Sequence, residues 1–282
     1  MLRWNTNDPR VTAVLEIIHI SDTHYGPSRD FRLTGGNTWD RSQALIDAIR
    51  GLSFVPDLIV HTGDVVTDPN EDSYRHASEA LAALPAPVYY ITGNHDDSAM
   101  MNASLTFGPR RLLLPHRPDC QAYQILGPAS ACEFLAVDAK VPSDEGPHGA
   151  IDEEQKEAVL AAISGTKPVA IFVHFPVFEV GAPWMDAHLL LRDGLGFARK
   201  VAAASRGQLR GFFAGHLHRG IQLYREGILQ SLVGSPACEF SMGPKENFCD
   251  FLPGGPLSFQ HISFTAEATM AKTYLVPYPP TA

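Results

Sequence analysis

Short apolar runs recur along the chain, and each ends abruptly in polar residues. Residues 14–20 run into Ser21-Asp22-Thr23-His24, 57–62 into Gly63-Asp64, and 87–92 into Gly93-Asn94-His95-Asp96. Residues 169–173 run into His174, and 211–214 into Gly215-His216-Leu217-His218. A continuous apolar run bounded by turn residues is the pattern of a strand buried on both faces. Between these runs, residues 40–52, 71–84, 152–164 and 187–205 carry helical spacing. Strand and helix therefore alternate, which predicts an α/β fold. Further apolar stretches at 122–126, 132–137, 228–233 and 259–265 predict added strands, so that two strand sets form two facing sheets.

Beyond residue 234 the pattern breaks up. Gly234, Pro236, Gly243, Pro244, Pro253, Gly254, Gly255 and Pro256 punctuate short apolar pieces, which reads as a loop-rich C-terminal extension, 235–282, around one late strand. Residues 277–282 read as an extended tail. The length of 282 residues is expected to form one domain spanning 1–282.

Composition narrows the class. Hydrophobic residues at 45% and charged residues at 19% are those of a folded globular chain, not a disordered or fibrous one. The net charge of -9, with no basic cluster, argues against extended nucleic acid as a partner. No run approaches the roughly 18 apolar residues of a membrane span, and residues 1–9 lack the apolar core of a signal peptide. Cys120, Cys132, Cys238 and Cys249 show no Cys-x-x-Cys spacing and are too sparse for a disulfide framework, so buried thiols in a cytoplasmic protein are expected.

The polar residues at the strand ends are Asp22, His24, Asp64, Asn94, His95, His174, His216 and His218. In open α/β sheets the functional crevice lies at the carboxyl ends of the strands, where these distant residues would meet. Seven of them offer oxygen or imidazole donors, more than one cation needs. The mixture suits Mn, Fe or Zn, and two ions about 3.5 to 4 Å apart form a hydrolytic pair, with Asp64 as the natural bridge. The spacing in Asp22-Thr23-His24 and His216-Leu217-His218 would point both members of each pair the same way if the backbone is extended. Gly63, Gly93 and Gly215 would let the backbone approach the ions closely.

Taken together, Asp22-x-His24, Gly63-Asp64, Gly93-Asn94-His95-Asp96, His174 and Gly215-His216-x-His218 resemble the five motifs of the calcineurin-like metallophosphoesterases. All five occur in order over residues 22–218, so their joint occurrence is specific. Ile20-Ser21-Asp22-Thr23-His24 and Asn94-His95-Asp96-Asp97 bring the likeness nearest to the class III cyclic nucleotide phosphodiesterases and the bacterial glycerophosphodiesterases. The resemblance implies a four-layer α-β-β-α sandwich with two mixed sheets and two divalent metal ions per chain. It implies Asp22, His24, Asp64 and His218 on the first ion and Asp64, Asn94, His174 and His216 on the second. His95 would bind the scissile phosphate, with Asp96 orienting its ring. The implied activity is hydrolysis of small phosphodiesters by a metal-bridging hydroxide, water acidified from about 15.7 towards about 7. A homodimer or larger homo-oligomer is also implied. The same core could instead serve phosphomonoesters or other phosphorus esters, or a non-catalytic phosphate-binding scaffold.

One departure stands out. Where many relatives carry a second histidine, this chain has His174-Phe175-Pro176, and Phe175 is expected to make the pocket wall more apolar. His19, His61, His76, His116, His188 and His261 lie outside the motifs and read as core histidines, His61 being placed to orient a ligand as the alternative. Residues 181–186 read either as a substrate-facing lid or as a loop packed on Trp184 and Met185, and His148 and Ser235 as loop residues within reach of the pocket.

Overall fold

A computed structural model describes residues 15–115, 120–126, 132–142, 144–252, 255–265 and 267–278. The start of the chain, His116 and the last four residues fall outside that set.

The chain opens with β1 (Leu15–Ile20), followed by a small ribbon of β2 (Arg32–Leu33) and β3 (Gly36–Asn37). Next come α1 (Thr38–Arg50), β4 (Leu58–His61), α2 (Glu71–Leu81), β5 (Val88–Tyr90) and α3 (Ser98–Ser104). The middle holds β6 (Arg111–Leu113), β7 (Tyr123–Ile125), β8 (Glu133–Val137), α4 (Glu153–Ala161) and β9 (Val169–Val173). Then follow α5 (Pro183–His188), α6 (Gly194–Ala204), β10 (Leu209–Ala214), β11 (Ile221–Arg225) and β12 (Ile228–Leu232). The last part contains β13 (Glu239–Phe240), β14 (Phe251–Leu252), β15 (Leu257–Phe264) and β16 (Thr269–Val276).

Two mixed sheets carry the fold, ordered β16-β15-β1-β4-β5 and β11-β12-β10-β9-β8-β7-β6. β1, β4 and β5 run parallel, as do β8, β9, β10 and β12, while the outer strands are antiparallel. Side chains of a strand alternate between faces, and here both faces are covered, so the strands read as unbroken apolar runs. In β1, Leu15 and Ile17 enter the layer between the sheets with Val60, Phe134, Phe172, Phe213 and Ile262. Ile18 and Ile20 point the other way, to Leu45, Ile46 and Ile49 of α1 and Tyr74 and Ala77 of α2. On the far side, Val159 of α4 and Phe197 and Val201 of α6 cover Ile171, Val173 and Phe212. These three apolar layers make the four-layer α-β-β-α sandwich. Each fully buried large side chain contributes about 1.5–3 kcal/mol, so the strand cores hold the loops at their ends in place.

Helix starts follow from capping. Asn37, Asn70 and Asp152 each accept a hydrogen bond from the backbone N–H three residues on, at Asp40, Ser73 and Gln155. The helix expected over 187–205 is instead two, α5 and α6. Between them the backbone bonds to other segments, with Leu191 N–H donating to the Pro176 carbonyl and Arg192 N–H to the Gly149 carbonyl. Asp193 then turns at φ 54°, and a Cβ on Gly194 would lie 2.4 Å from the Val177 carbonyl oxygen.

The segment after 234 is more than loops around one strand. It holds β13 to β16, and β15, buried along all eight residues, sits inside the first sheet between β1 and β16. β16 is a half-exposed edge whose polar alternation left no continuous apolar run. Tyr278, in the expected tail, packs on the α1 side and carries the Arg41 guanidinium over its ring at 5.0 Å.

Candidate metal centre

All eight strand-end residues come together where the carboxyl ends of the two sheets meet. Asp22 and His24 follow β1, Asp64 follows β4, Asn94 and His95 follow β5, His174 follows β9, and His216 and His218 follow β10. Their donor atoms fall into two groups, Asp22, His24, Asp64 and His218 in one and Asp64, His174 and His216 in the other, each within 4.8 Å. Asp64 belongs to both. Asn94 joins the second group, with its Oδ1 3.2 Å from His174 Nε2.

The backbone that achieves this is not extended. Asp22, His24, Asp64, His216 and His218 have φ of 57°, 50°, 52°, 68° and 52°, so the alternation expected within the two pairs does not apply. Left-handed backbone costs an L-residue about 1–2 kcal/mol, and such strain persists only where neighbours over-determine it. Here the loops hold one another. Asp22 N–H donates to the Gly63 carbonyl and His24 N–H to the Asp64 carbonyl, at 2.9 and 3.0 Å. The amide of His216 donates to Asp22 Oδ2 at 3.0 Å, and that of His95 to Asp64 Oδ1 at 2.9 Å. A Cβ on Gly93 would lie 2.2 Å from Asp64 Oδ1, and Gly63 adopts φ +106°, so each permits an approach that a side chain would block.

Ring orientation is set from behind. Nδ1–H of His174 donates to the Thr62 carbonyl at 2.7 Å and Nδ1–H of His218 to the Cys238 carbonyl at 3.1 Å, which leaves each Nε2 for the site. Phe240 stacks on the His218 ring at 4.1 Å and 14°. Neither Cys238 nor Phe240 stood out in the sequence, because neither lies in a motif.

The donor set fits divalent cations. Imidazole nitrogens converge on one another, His24 Nε2 on His218 Nε2 at 3.1 Å and His174 Nε2 on His216 Nδ1 at 3.0 Å. Asp22 Oδ1 is buried without a hydrogen-bond partner. Two carboxylates and four imidazoles in a buried crevice require a counter-charge. Without a cation, that counter-charge would fall to protons. Burial opposes the charge on His174, but Asp64 at 3.4 Å, and then Asp22, outweigh it and push the ring up to about 9. His218, with Asp22 at 3.4 Å, is pushed up to about 10 against the same burial. His24 and His216 are pushed down to about 3 by burial. Asp64 lies well below the usual carboxylate range, because His174 and His95 outweigh its burial.

Two expectations change. Asp96 does not orient His95. It is wholly buried and accepts from the amides of Val65, Val66 and Gly93, tying the loops after β4 and β5 together. Burial, with Asp64 second, pushes its carboxyl up to about 6. His95 is oriented by the Thr67 carbonyl, 2.7 Å from Nδ1, and by the His24 ring at 5.0 Å. Phe175 does not wall the pocket, being fully buried edge-on behind His174 and His216, each at 4.9 Å, and against Gly149.

The remaining candidates sort themselves by contact. His19, His76 and His261 are buried and bonded to Thr62, Gly26 and Glu16, whereas His188 is exposed beside Trp184. His61 Nε2 lies 3.0 Å from Thr23 Oγ1 and so braces the Asp22 loop without touching a ligand ring. Ser235 Oγ donates to the Asp22 carbonyl at 2.7 Å, a brace as well. His148 lines a separate recess with Asp186 and Arg192. Within 181–186, Asp186 binds the amides of Val180 and Gly181 while Trp184 faces the metal-centre cavity, so the segment is at once self-packed and pocket-lining.

Residues 15–220 match the family described as Calcineurin-like phosphoesterase. The chain belongs to that family. This calcineurin-like phosphoesterase is 27% identical over 232 residues to the 3',5'-cyclic adenosine monophosphate phosphodiesterase CpdA of Escherichia coli (strain K12), covering 80% of this chain and 76% of that protein. It is 29% identical over 221 residues to the glycerophosphodiester phosphodiesterase GpdQ of Enterobacter lignolyticus (strain SCF1), covering 77% and 76%. Over 240 residues it is 30% identical to a cAMP/cGMP dual specificity phosphodiesterase of Mycobacterium tuberculosis, covering 82% and 69%. Among solved structures, the purple acid phosphatase PPD1 from yellow lupin (Lupinus luteus) seeds superposes with a TM-score of 0.61 at 11% identity, over 95% of this chain and 53% of that one. That likeness concerns the fold.

Proposed function

We propose that this calcineurin-like phosphoesterase hydrolyses small phosphodiesters, 3',5'-cyclic nucleotides or glycerophosphodiesters, at a centre of two divalent ions. The observation that carries the reading is Asp64, whose carboxylate joins two groups of donors, with His95 beside them on the open side. Asp22, His24, Asp64 and His218 would hold the first ion and Asp64, Asn94, His174 and His216 the second. Mixed oxygen and imidazole donors suit Mn, Fe or Zn. The relatives named as phosphodiesterases support diesters as the substrate class. When bound, two such ions acidify water to a nucleophile at neutral pH and neutralise charge on the phosphoryl oxygens.

The chain's own residues do the rest. His95 donates Nδ1–H to the Thr67 carbonyl, which leaves Nε2 for the substrate. As imidazolium it donates to a phosphoryl oxygen and passes that proton to the departing alkoxide. The cross-bonded loops keep the donors rigid, so little reorganisation accompanies the reaction. All four cysteines are free thiols, which fits the cytoplasmic location we propose. No helix among the described residues is long and apolar enough to cross a membrane.

Metal analysis of the purified protein, together with hydrolysis of 3',5'-cyclic AMP, glycerophosphocholine, bis(4-nitrophenyl) phosphate and 4-nitrophenyl phosphate with Mn added, tests the reading. Two metals per chain and diester turnover lost in Asn94→Ala and His95→Ala are expected. Turnover of monoesters alone would assign the phosphomonoesterase reading, and a chain that takes up no metal would overturn both.

A further inference from the structure

The cavity before the two donor groups has a volume of about 360 Å³, within the lower part of the roughly 300–1,000 Å³ typical of small-molecule sites. Its floor is His24, Asp64, Asn94, His216 and His218 of the donor set, with His95. Its rim is another material: Leu33 of β2, Trp184 of α5, Leu189, Phe240 of β13, Phe251 of β14 and Pro147. Among the described residues, the Thr67 hydroxyl, the Cys249 thiol and the Trp184 indole N–H are the only polar side-chain groups the rim adds.

The aromatic part of this rim is arranged, not scattered. Phe240 lies flat on the His218 ring, and Phe251 meets Phe240 at 5.0 Å and 88°. The two are cross-strand partners in the β13–β14 pair, so the hairpin register sets their contact. Phe251 nevertheless exposes 53% of its surface, which leaves a phenyl ring in water beside a charged centre. A planar group bound over the rim would cover that ring within the cavity that Trp184 also lines. The hydroxyls of a polyol would instead lose water and find almost no partners there.

Resting on the phosphodiesterase reading, we infer that the ester substituent lodged on this rim presents a planar aromatic group, an aryl ring or the nucleobase of a nucleoside, and that glycerol-type substituents are selected against. Phe240, Phe251 and Trp184 are the residues that set the choice. The floor grips the phosphoryl group whatever it carries, and the rim decides which substituent comes with it.

Non-hydrolysable phosphonates separate the two parts. Titration calorimetry on the Mn-loaded full chain compares phenylphosphonate, a purine-bearing acyclic nucleoside phosphonate, methylphosphonate and 2,3-dihydroxypropylphosphonate. The aromatic ligands should bind at least about tenfold tighter than the methyl and dihydroxypropyl ones. Phe251→Ala and Trp184→Ala should bring the aromatic-to-methyl ratio towards one. Phe251→Leu, which keeps apolar area but loses the flat face, should lose most of the preference as well. Purine above phenyl assigns a nucleobase and the reverse an aryl ester, each in support. Equal affinity for all four, tighter binding of the dihydroxypropyl ligand, or a preference that survives every substitution overturns the inference while leaving the metal centre intact. Failure to bind any phosphonate, with inorganic phosphate also silent, overturns the phosphodiesterase reading itself.

Discussion

Floor and rim of the cavity lie a few ångströms apart and are built on opposite principles. In and beneath the floor, Asp22, Asp64, His174, His216 and His218 are almost wholly buried, several in left-handed backbone, and each is tied by a backbone hydrogen bond to a neighbouring loop. On the rim, the exposed Phe251, the partly exposed Trp184 and the buried Phe240 stand on two-residue strands and a six-residue helix. Strain stored at a rigid floor buys fixed donor geometry, whereas a lightly anchored rim can change its side chains without disturbing that geometry. Chemistry and selection are thus separable in this molecule.

The strongest way to break that division is at the shared carboxylate. Asp64→Asn should lower diester turnover by more than about a thousandfold and reduce metal content below two per chain, since both donor groups lose a charged oxygen. Elemental analysis beside a rate assay reads it, and a variant that keeps both metals and most of its rate would deny Asp64 its bridging place. Next in size is Asp96→Asn. An amide in place of this carboxylate turns an N–H towards the amide donors of Val65 and Gly93, and stability to urea should fall by about 2–3 kcal/mol. An unchanged midpoint would mean that the two loops do not depend on that brace.

Phe240→Leu probes the seam between floor and rim. Loss of the ring stacked on His218 should weaken metal binding about tenfold, measured by chelator competition, while His218 keeps its bond to the Cys238 carbonyl. The proton balance of the floor is a gentler test. Free His174 and His218 are held protonated up to about 9 and about 10, so metal uptake at pH 7.5 should release about two protons per chain. Calorimetry in buffers of different ionisation enthalpy counts them, and no release would mean that protons do not balance the charge of the floor before metal uptake. The same shifts fix a sign. Because both folded values lie above the ordinary 6.5, their stabilisation of the metal-free protein is fully present below about pH 6.5 and is lost as pH rises through 9 to 10. Smallest of all, Phe248→Ser, at a side chain 54% exposed, should move the unfolding midpoint by less than about 0.5 kcal/mol.

Much of the fold and of the metal centre is legible in the order of the residues. Strands buried on both faces announce themselves as unbroken apolar runs, and β1, β4, β5, β9 and β10 lie where those runs stand. Polar residues confined to the ends of such runs can only collect at one edge of the sheets, which is why the eight strand-end residues group together from their positions. β11 and β16 are not legible, because half-exposed edge strands alternate with polar residues and look like loops.

The sequence by itself determined the alternation of strand and helix and the inventory of donors, since both follow from local patterns of residue type. Only the tertiary structure decided that the donor pairs turn through left-handed backbone, that Thr67 and not Asp96 aims His95, and that Phe175 stands behind the rings. It alone brought Phe240 and Phe251 to the mouth of the cavity. The physical reason is common to all four. Hydrogen bonds and ring contacts between segments far apart in the chain are set by packing of the sheets, and no local pattern records them.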